Sequence, residues 1–357
     1  MAQRKSNGFP AVGAVLLLIS AAAAWQKRAE GQGASPQAAE GARGRKAAAP
    51  WDIPEPGWKD ILIRTYEEAN KDRLLAVAAG VAFYGLLALF PAITAFVSLY
   101  GLFADPHAIE SGVTNLAVGI PAEAMSIVTE QVQRIASAGS GRLSVGFVLG
   151  LGIALWSANA GMKAMFDALN VAYGEEEKRG FIRLNAVSLA FTLGAIGVLL
   201  IALFSVAVVP VILSKLIVAD AGALLLQWGR WPILLAIIVL ALSVVYRFGP
   251  SRREPKWRWV TPGGLAAAVL WIVGSSLFSF YLSHFANYNA TYGSLGAVIG
   301  LLMWMWLTSV IVLLGAELNA QTERQTVRDS TVGRAKPLGA RQAFAADTIA
   351  SARTGQV

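Results

Sequence analysis

A chain of 357 residues that is 55% hydrophobic and only 15% charged, with 11 Trp, is too apolar for an ordinary soluble protein, in which roughly a quarter of residues carry charge. It has no cysteine, which excludes disulfides, thiolate metal sites and cysteine nucleophiles. A net charge of +8 would suit a nucleic-acid binder, but where the charges lie matters more than their sum.

Phe9–Trp25 is an Ala-rich apolar run near the minimum length for a membrane span. Arg4 and Lys5 before it, and Ala22–Ala24 near its end, also resemble a secretory signal with an A-x-A cleavage site. Export would carry the nine basic residues of 27–73 outward. An N-out anchor over 1–25, or a segment that never inserts, fits the rest better, and the anchor is the expectation. Residues 26–57 and 322–357 are polar, and read as a disordered cytoplasmic linker and tail flanking a membrane domain over 58–321. Within that domain Trp58–Arg73 reads as an amphipathic helix, with Trp58, Ile61, Leu62, Thr65, Tyr66 and Ala69 on one side. It suits the cytoplasmic membrane interface or a protein surface equally well.

Six stretches then have the roughly 20 apolar residues of a span: Leu74–Phe103, Leu143–Met165, Leu184–Leu216, Trp231–Phe248, Val260–His284 and Leu295–Asn319. The expected fold class is all-α, a polytopic membrane helix bundle with six core transmembrane helices plus the N-terminal anchor helix. With the N-side of the first core span in the cytoplasm, the inside segments hold 24 of the 30 Lys and Arg. The outside loops hold only Arg134, Arg142, Lys215 and Arg230. This asymmetry puts both core termini inside. The positive charge is thus a topology signal, and no nucleic-acid partner is inferred from it.

Three blocks carry a resemblance: AAGVAFYGLLALFPAITAFVSLYGLF from Ala78, WSANAGMKAMFDALNVAYGEEEKRGFIRLN from Trp156, and the stretch from Tyr246 through TPGGLAAAVLWIVGSSLFSFYLSHFANYNATYGSLGAVIGLLMWMWLTSVIVLLGAELNA. In order and spacing they resemble the YihY / virulence factor BrkB family of bacterial inner-membrane proteins, over about residues 58–321. The resemblance implies a six-helix core with cytoplasmic ends. It implies no settled activity, because relatives carry ribonuclease, virulence and transport labels.

Glu317 ends the last span and is expensive there unless it has a partner or a task. Asn319, about 200° around the helix, faces the opposite way. Arg247 and Arg183, at the ends of other spans, are the candidate cations for Glu317, either as a structural ion pair or in a proton-coupling role. Trp156, Asn159, Lys163, Asp167 and Asn170 fall within about 80° on one helix face. They form a wet helix end or a lined path, with Lys163 and Asp167 one turn apart and able to pair. Pro91 frees the carbonyl of Leu87, and Tyr84 and Ser98 share its face. Gly146/Gly150 and Gly296/Gly300 are small-xxx-small packing pairs. The uncharged loop Asn287–Ser294 gates a ligand or caps the bundle.

Catalytic patterns are missing: there are two histidines, no Walker-type loop, no Ser/His/Asp set and no metal spacing. The sequence therefore reads as a non-enzyme without cofactor or metal, a transporter or flippase-like protein for a lipid or amphipathic solute. The alternative is a non-transporting scaffold or envelope-integrity protein. Membrane lipid is the expected partner, and a homo-oligomer stays open.

Overall fold

Long apolar runs without internal polar breaks become long helices because a hydrocarbon solvent leaves the backbone no other way to satisfy its polar groups. In the structure, a computed structural model, residues 43–101, 145–216, 220–285, 295–351 and five positions between 125 and 133 are described. The 9–25 segment and the 287–294 loop lie outside them. A short helix, α1 (Glu55–Lys71), precedes six long ones. These are α2 (Leu74–Gly101), α3 (Val145–Tyr173), α4 (Phe181–Leu216), α5 (Asp220–Phe248), α6 (Trp257–Phe285) and α7 (Leu295–Glu323). The shortest of the six has 28 residues, about 42 Å at 1.5 Å per residue, enough to cross a hydrocarbon core of about 30 Å. Among the described residues, Leu74–Phe96, Phe181–Leu200, Trp257–His284 and Gly296–Glu323 have the length and hydropathy of spans, and Leu235–Phe248 is a shorter apolar stretch. The all-α membrane bundle and its six core helices match the expectation in number and order.

Helix α7 is the hub, packed against α1, α2, α3 and α6, while α2 lies along α3 and α5 along α6. Leu313, Ala316 and Ala320 of α7 meet Leu74 and Ala78 of α2, Phe166 and Leu169 of α3, and Tyr246 and Ala267 in one buried cluster. Outward faces carry exposed Leu149, Ile153, Leu240 and Leu277, which is normal where the solvent is lipid. Among the described residues, close helix crossings also use glycines outside the two expected pairs. Gly263 of α6 meets Gly315 of α7, and Gly161 of α3 meets Gly85 and Ala88 of α2, whereas Gly150 faces open space.

Helix α1 buries Gly57, Asp60, Ile61, Arg64 and Thr65 against the rest of the protein and leaves Leu62 and Tyr66 exposed. Of its two readings, protein packing therefore accounts for only part of the apolar side. The remainder is free to contact a membrane surface.

The polar flanks differ from the expectation of disorder. Residues 43–54 and 322–351 fold over the ends of α1, α3 and α7 as a cap. The Thr326 hydroxyl donates to the carbonyls of Arg45 (3.2 Å) and Ala47 (2.8 Å), and Gln325 Nε2 donates to the Arg43 carbonyl at 2.7 Å. The Phe344 N–H donates to Glu175 Oε1 at 2.6 Å, tying α8 (Phe344–Asp347) to the α3–α4 turn. At that turn Gly174 has φ +65°, and a Cβ there would lie 2.6 Å from the Phe344 ring. A segment too polar to build an apolar core is ordered here because its polar groups find one another and the helix ends.

Candidate functional site

Glu317 is 1% exposed. Its Oε1 accepts from Gln321 Nε2 at 2.8 Å, one turn on, and its Oε2 is buried without a hydrogen-bond partner among the described residues. The expected cations are elsewhere. Arg247 sits 3.4 Å from Glu254 and over the Trp257 ring, and Arg183 is exposed. The reason is geometric: Arg247 belongs to the α5–α6 side of the bundle, which the opposite face of α7 addresses through Asn319. The charges acting on Glu317 are those of Asp72, Glu68 and Arg324. A polar relay leads outward from it, with Arg324 Nη1 3.4 Å from Gln321 Oε1 and 3.5 Å from Glu68 Oε1. At the relay's outer end burial, reinforced by the Glu68 charge, pushes the Asp72 carboxyl above its usual value. Glu68, despite its own burial, is held below the usual value by the hydrogen bond and charge of Lys71, with Arg324 adding.

On α7's other face the Asn319 amide clamps α6. Its Oδ1 accepts the Gly263 N–H at 2.7 Å and its Nδ2 donates to the Val260 carbonyl at 3.1 Å. Pro262 lies between them and interrupts the α6 ladder, so a side chain from the neighbouring helix supplies partners there.

The stripe on α3 splits into two groups. In the deeper one Asn159, fully buried, approaches Asn185 Oδ1 at 3.5 Å, the edge of hydrogen-bonding range, while Lys163 Nζ donates to the same oxygen at 3.1 Å. Asn159 Oδ1 is left buried without a hydrogen-bond partner among the described residues. Lys163 also lies over the half-exposed Trp156 ring, 5.5 Å from its centroid. It turns to Asn185 rather than to Asp167, which is exposed, so the expected Lys163–Asp167 pair does not form. The shallower group is structural. Asn170 Oδ1 accepts the Ser251 N–H at 2.7 Å, and its Nδ2 donates to Glu177 Oε2 at 3.2 Å. Against the effect of burial, hydrogen bonds from the Arg179 side chain and backbone hold Glu177 at about 2. Asn170 therefore belongs to the cap and not to a path.

Tyr84 is half-exposed on α2 and Pro91 lies within that helix; neither meets Asn159 or Glu317 in a recorded bond, and the Ser98 side chain lies outside the described ones. Sequence reasoning missed Asn185. Its signal was present, since Asn185, Ser188 and Thr192 stand three and four residues apart in an apolar run and are all buried. Chemically the site offers two buried acceptor oxygens, one cation and a relay to the polar end. It holds no nucleophile beside a base, and among the described residues no three His, Cys, Asp or Glu side chains gather as a metal site.

A family model described as Virulence factor BrkB matches residues 65–338. The chain belongs to that family. The match runs through the cap as far as Leu338, beyond the 321 boundary read from hydropathy. The ribonuclease-like protein YfkH of Bacillus subtilis is 34% identical over 252 residues, covering 68% of this chain and 88% of YfkH. The UPF0761 membrane protein PSHAa0171 of Pseudoalteromonas translucida is 25% identical over 286 residues, 77% of this chain and 89% of its own length. A UPF0761 membrane protein of Pseudoalteromonas atlantica is 26% identical over 281 residues, 73% and 89% respectively. No solved structure matches. The chain is thus an integral membrane protein of the BrkB/UPF0761 family.

Proposed function

We propose that this protein moves a lipid or another amphipathic solute across a bacterial inner membrane, along a route bordered by Asn159 and Glu317. One observation carries the reading: Asn159 Oδ1 and Glu317 Oε2 are buried in the bundle without a hydrogen-bond partner among the described residues. Each such oxygen costs about 1–3 kcal/mol, a cost that makes sense where a solute or proton meets the oxygen in another state. Neither the apolar groove between α5 and α6 nor the basic cavity in the cap is lined by these residues. Pro91 gives α2 a place to bend as such a route opens.

The orientation we propose has the cap in the cytoplasm. It is supported by the way the basic segments 43–73, 178–183, 247–258 and 324–341 all meet at one end of the bundle. A chain without cysteine permits a direct test. Cysteine placed at the exposed Arg334 (Arg334→Cys) resists a membrane-impermeant maleimide in intact spheroplasts and reacts after permeabilisation. Equal labelling before and after would reverse the topology.

YfkH's ribonuclease-like name suggests an enzyme, and we read this chain otherwise. His284 is exposed and stacked on Phe280, 4.2 Å between ring centroids, and bonds to the Ser283 hydroxyl and the Phe280 carbonyl, with no acid partner among the described residues. His107 lies outside the described residues. The deciding experiment is fluorescent-lipid scrambling in liposomes that contain purified protein, beside Glu317→Gln and Asn159→Leu. Scrambling by the parent and a loss of roughly tenfold or more in folded variants, about 1.4 kcal/mol of barrier, supports the reading. A folded parent that scrambles no lipid and exports no dye down a proton gradient leaves the scaffold alternative.

A further inference from the structure

A cavity of about 380 Å³ in the cap has an unbalanced charge: Lys256, Arg258, Arg328, Lys336 and Arg341 line it with a single acid, Asp329. That acid is occupied by its own loop. Asp329 Oδ1 accepts from the N–H and hydroxyl of Thr331 at 2.9 and 2.8 Å, and Oδ2 accepts the Lys336 N–H at 2.8 Å. Two of the cations, Lys256 and Arg341, bond to carbonyls instead of carboxylates. Lys256 Nζ donates to the Asp329 carbonyl at 2.9 Å, and buried Arg341 donates to the carbonyls of Ala346 (2.6 Å), Val327 (2.7 Å) and Lys336 (3.1 Å). None of the five forms an ion pair among the described residues, although Arg252, Arg179 and Arg324 close by all do. Arg258 Nε is buried with no hydrogen-bond partner among the described residues. A guanidinium left short of acceptors beside a cationic cavity is a site that lacks its anion.

Two further observations say which anion. Lys256 directly precedes α6 and Arg258 is its second residue, so the cavity also meets the positive end of that helix dipole, where phosphates bind. The span Trp257–His284 starts at the same point, with Trp257 partly exposed beside it. Interfacial Trp residues sit at headgroup level, which puts the cavity at the height of lipid phosphates. We propose that this cavity binds a phosphate group, presented by an anionic lipid headgroup or by a soluble phosphate. The site stands whether or not the bundle transports anything.

The test uses full-length protein in a non-ionic detergent, titrated with inorganic phosphate, with short-chain phosphatidic acid and with the zwitterionic short-chain phosphatidylcholine. Arg258→Gln and Arg328→Gln are compared with the parent. Arg328 is exposed and Arg258 makes no recorded hydrogen bond, so both variants keep the parent's thermal unfolding, which is measured alongside. Arg341 holds the cap together and is left intact. The expected result is phosphatidic acid bound in preference to phosphatidylcholine, displaced by phosphate and weakened about tenfold in either variant, the scale of one charge-assisted hydrogen bond. Phosphate binding with no lipid preference, lost in the same variants, assigns the site to a soluble anion. Binding that is equal in the parent and in both folded variants overturns the proposal.

Discussion

Glu323→Ala is expected to destabilise the folded protein by about 3–5 kcal/mol, because it leaves a buried charge without its partner. Arg252 and Glu323 form an ion pair in which neither side chain has any exposure. Glu323 Oε2 also accepts the Ser330 hydroxyl at 2.7 Å, and the Arg252 guanidinium lies over the Tyr173 ring at 4.3 Å. The pair therefore joins four segments: the end of α3, the α5–α6 turn, the end of α7 and the tail. Among the described residues Arg252 Nε and Nη1 already lack hydrogen-bond partners, so the loss of the carboxylate leaves the guanidinium still shorter of acceptors. The measurement is thermal unfolding in detergent, followed by loss of monodispersity, with limited proteolysis of the tail as a local reporter. Early cleavage after residue 323 and a lowered midpoint are expected in Glu323→Ala. Glu323→Gln, whose Oε1 still accepts from Arg252 while its Nε2 can only donate to the Ser330 hydroxyl oxygen, loses the charge but not the contact and should fall between it and the parent. An unchanged midpoint in Glu323→Ala would mean that the cap is not held by this pair.

That cap marks the boundary of what the sequence makes legible. Helices α2–α7 are readable because a span writes itself into some twenty consecutive apolar residues, and Lys and Arg counts order the loops around them. The opposite facing of Glu317 and Asn319 is readable too, since two residues at 100° each cannot share a side. Partners are another matter. Glu323 meets Arg252 across 71 residues, and Gln325 meets Arg43 across 282. Polar pairs of that kind leave no periodicity, so 322–351 reads as a loose tail. Glu317 was given distant cations for a similar reason. Helix ends with Arg were visible, but not which face of α7 each would meet, and the nearest donor is Gln321 on its own helix. The Asn159–Lys163–Asn185 group was half legible: the α3 stripe follows from helical spacing, while the choice of Asn185 over Asp167 depends on how α3 and α4 pack.

Gly263→Val is expected to prevent α6 from docking on α7, at a cost of about 3 kcal/mol, the upper part of the range for an overpacked core. A Cβ on Gly263 would overlap the Gly315 carbonyl oxygen and the Asn319 amide, and neither can retreat cheaply. The first is backbone; the second is fixed by its bonds to Gly263 N–H and the Val260 carbonyl. From the other helix, a Cβ on Gly315 would lie 2.8 Å from both the Ala267 Cβ and the Gly263 carbonyl oxygen. Tyr246 closes the same spot, donating to the Val312 carbonyl at 2.8 Å. Contact this close gains dispersion and lets polar groups reach across, which is what joins helices in lipid, where burial alone offers no hydrophobic gain. Gly150→Ala is the matched control: its Cβ meets nothing within 4 Å, so the change should be neutral or slightly stabilising. Folded yield and the thermal midpoint in detergent separate the two. Because Asn319 docks through the same contact, Asn319→Leu should lower the midpoint in the same direction, and Gly263→Val added to it should cost less than the sum of the two. Additive losses would mean that the glycine crossing and the amide clamp hold α6 independently.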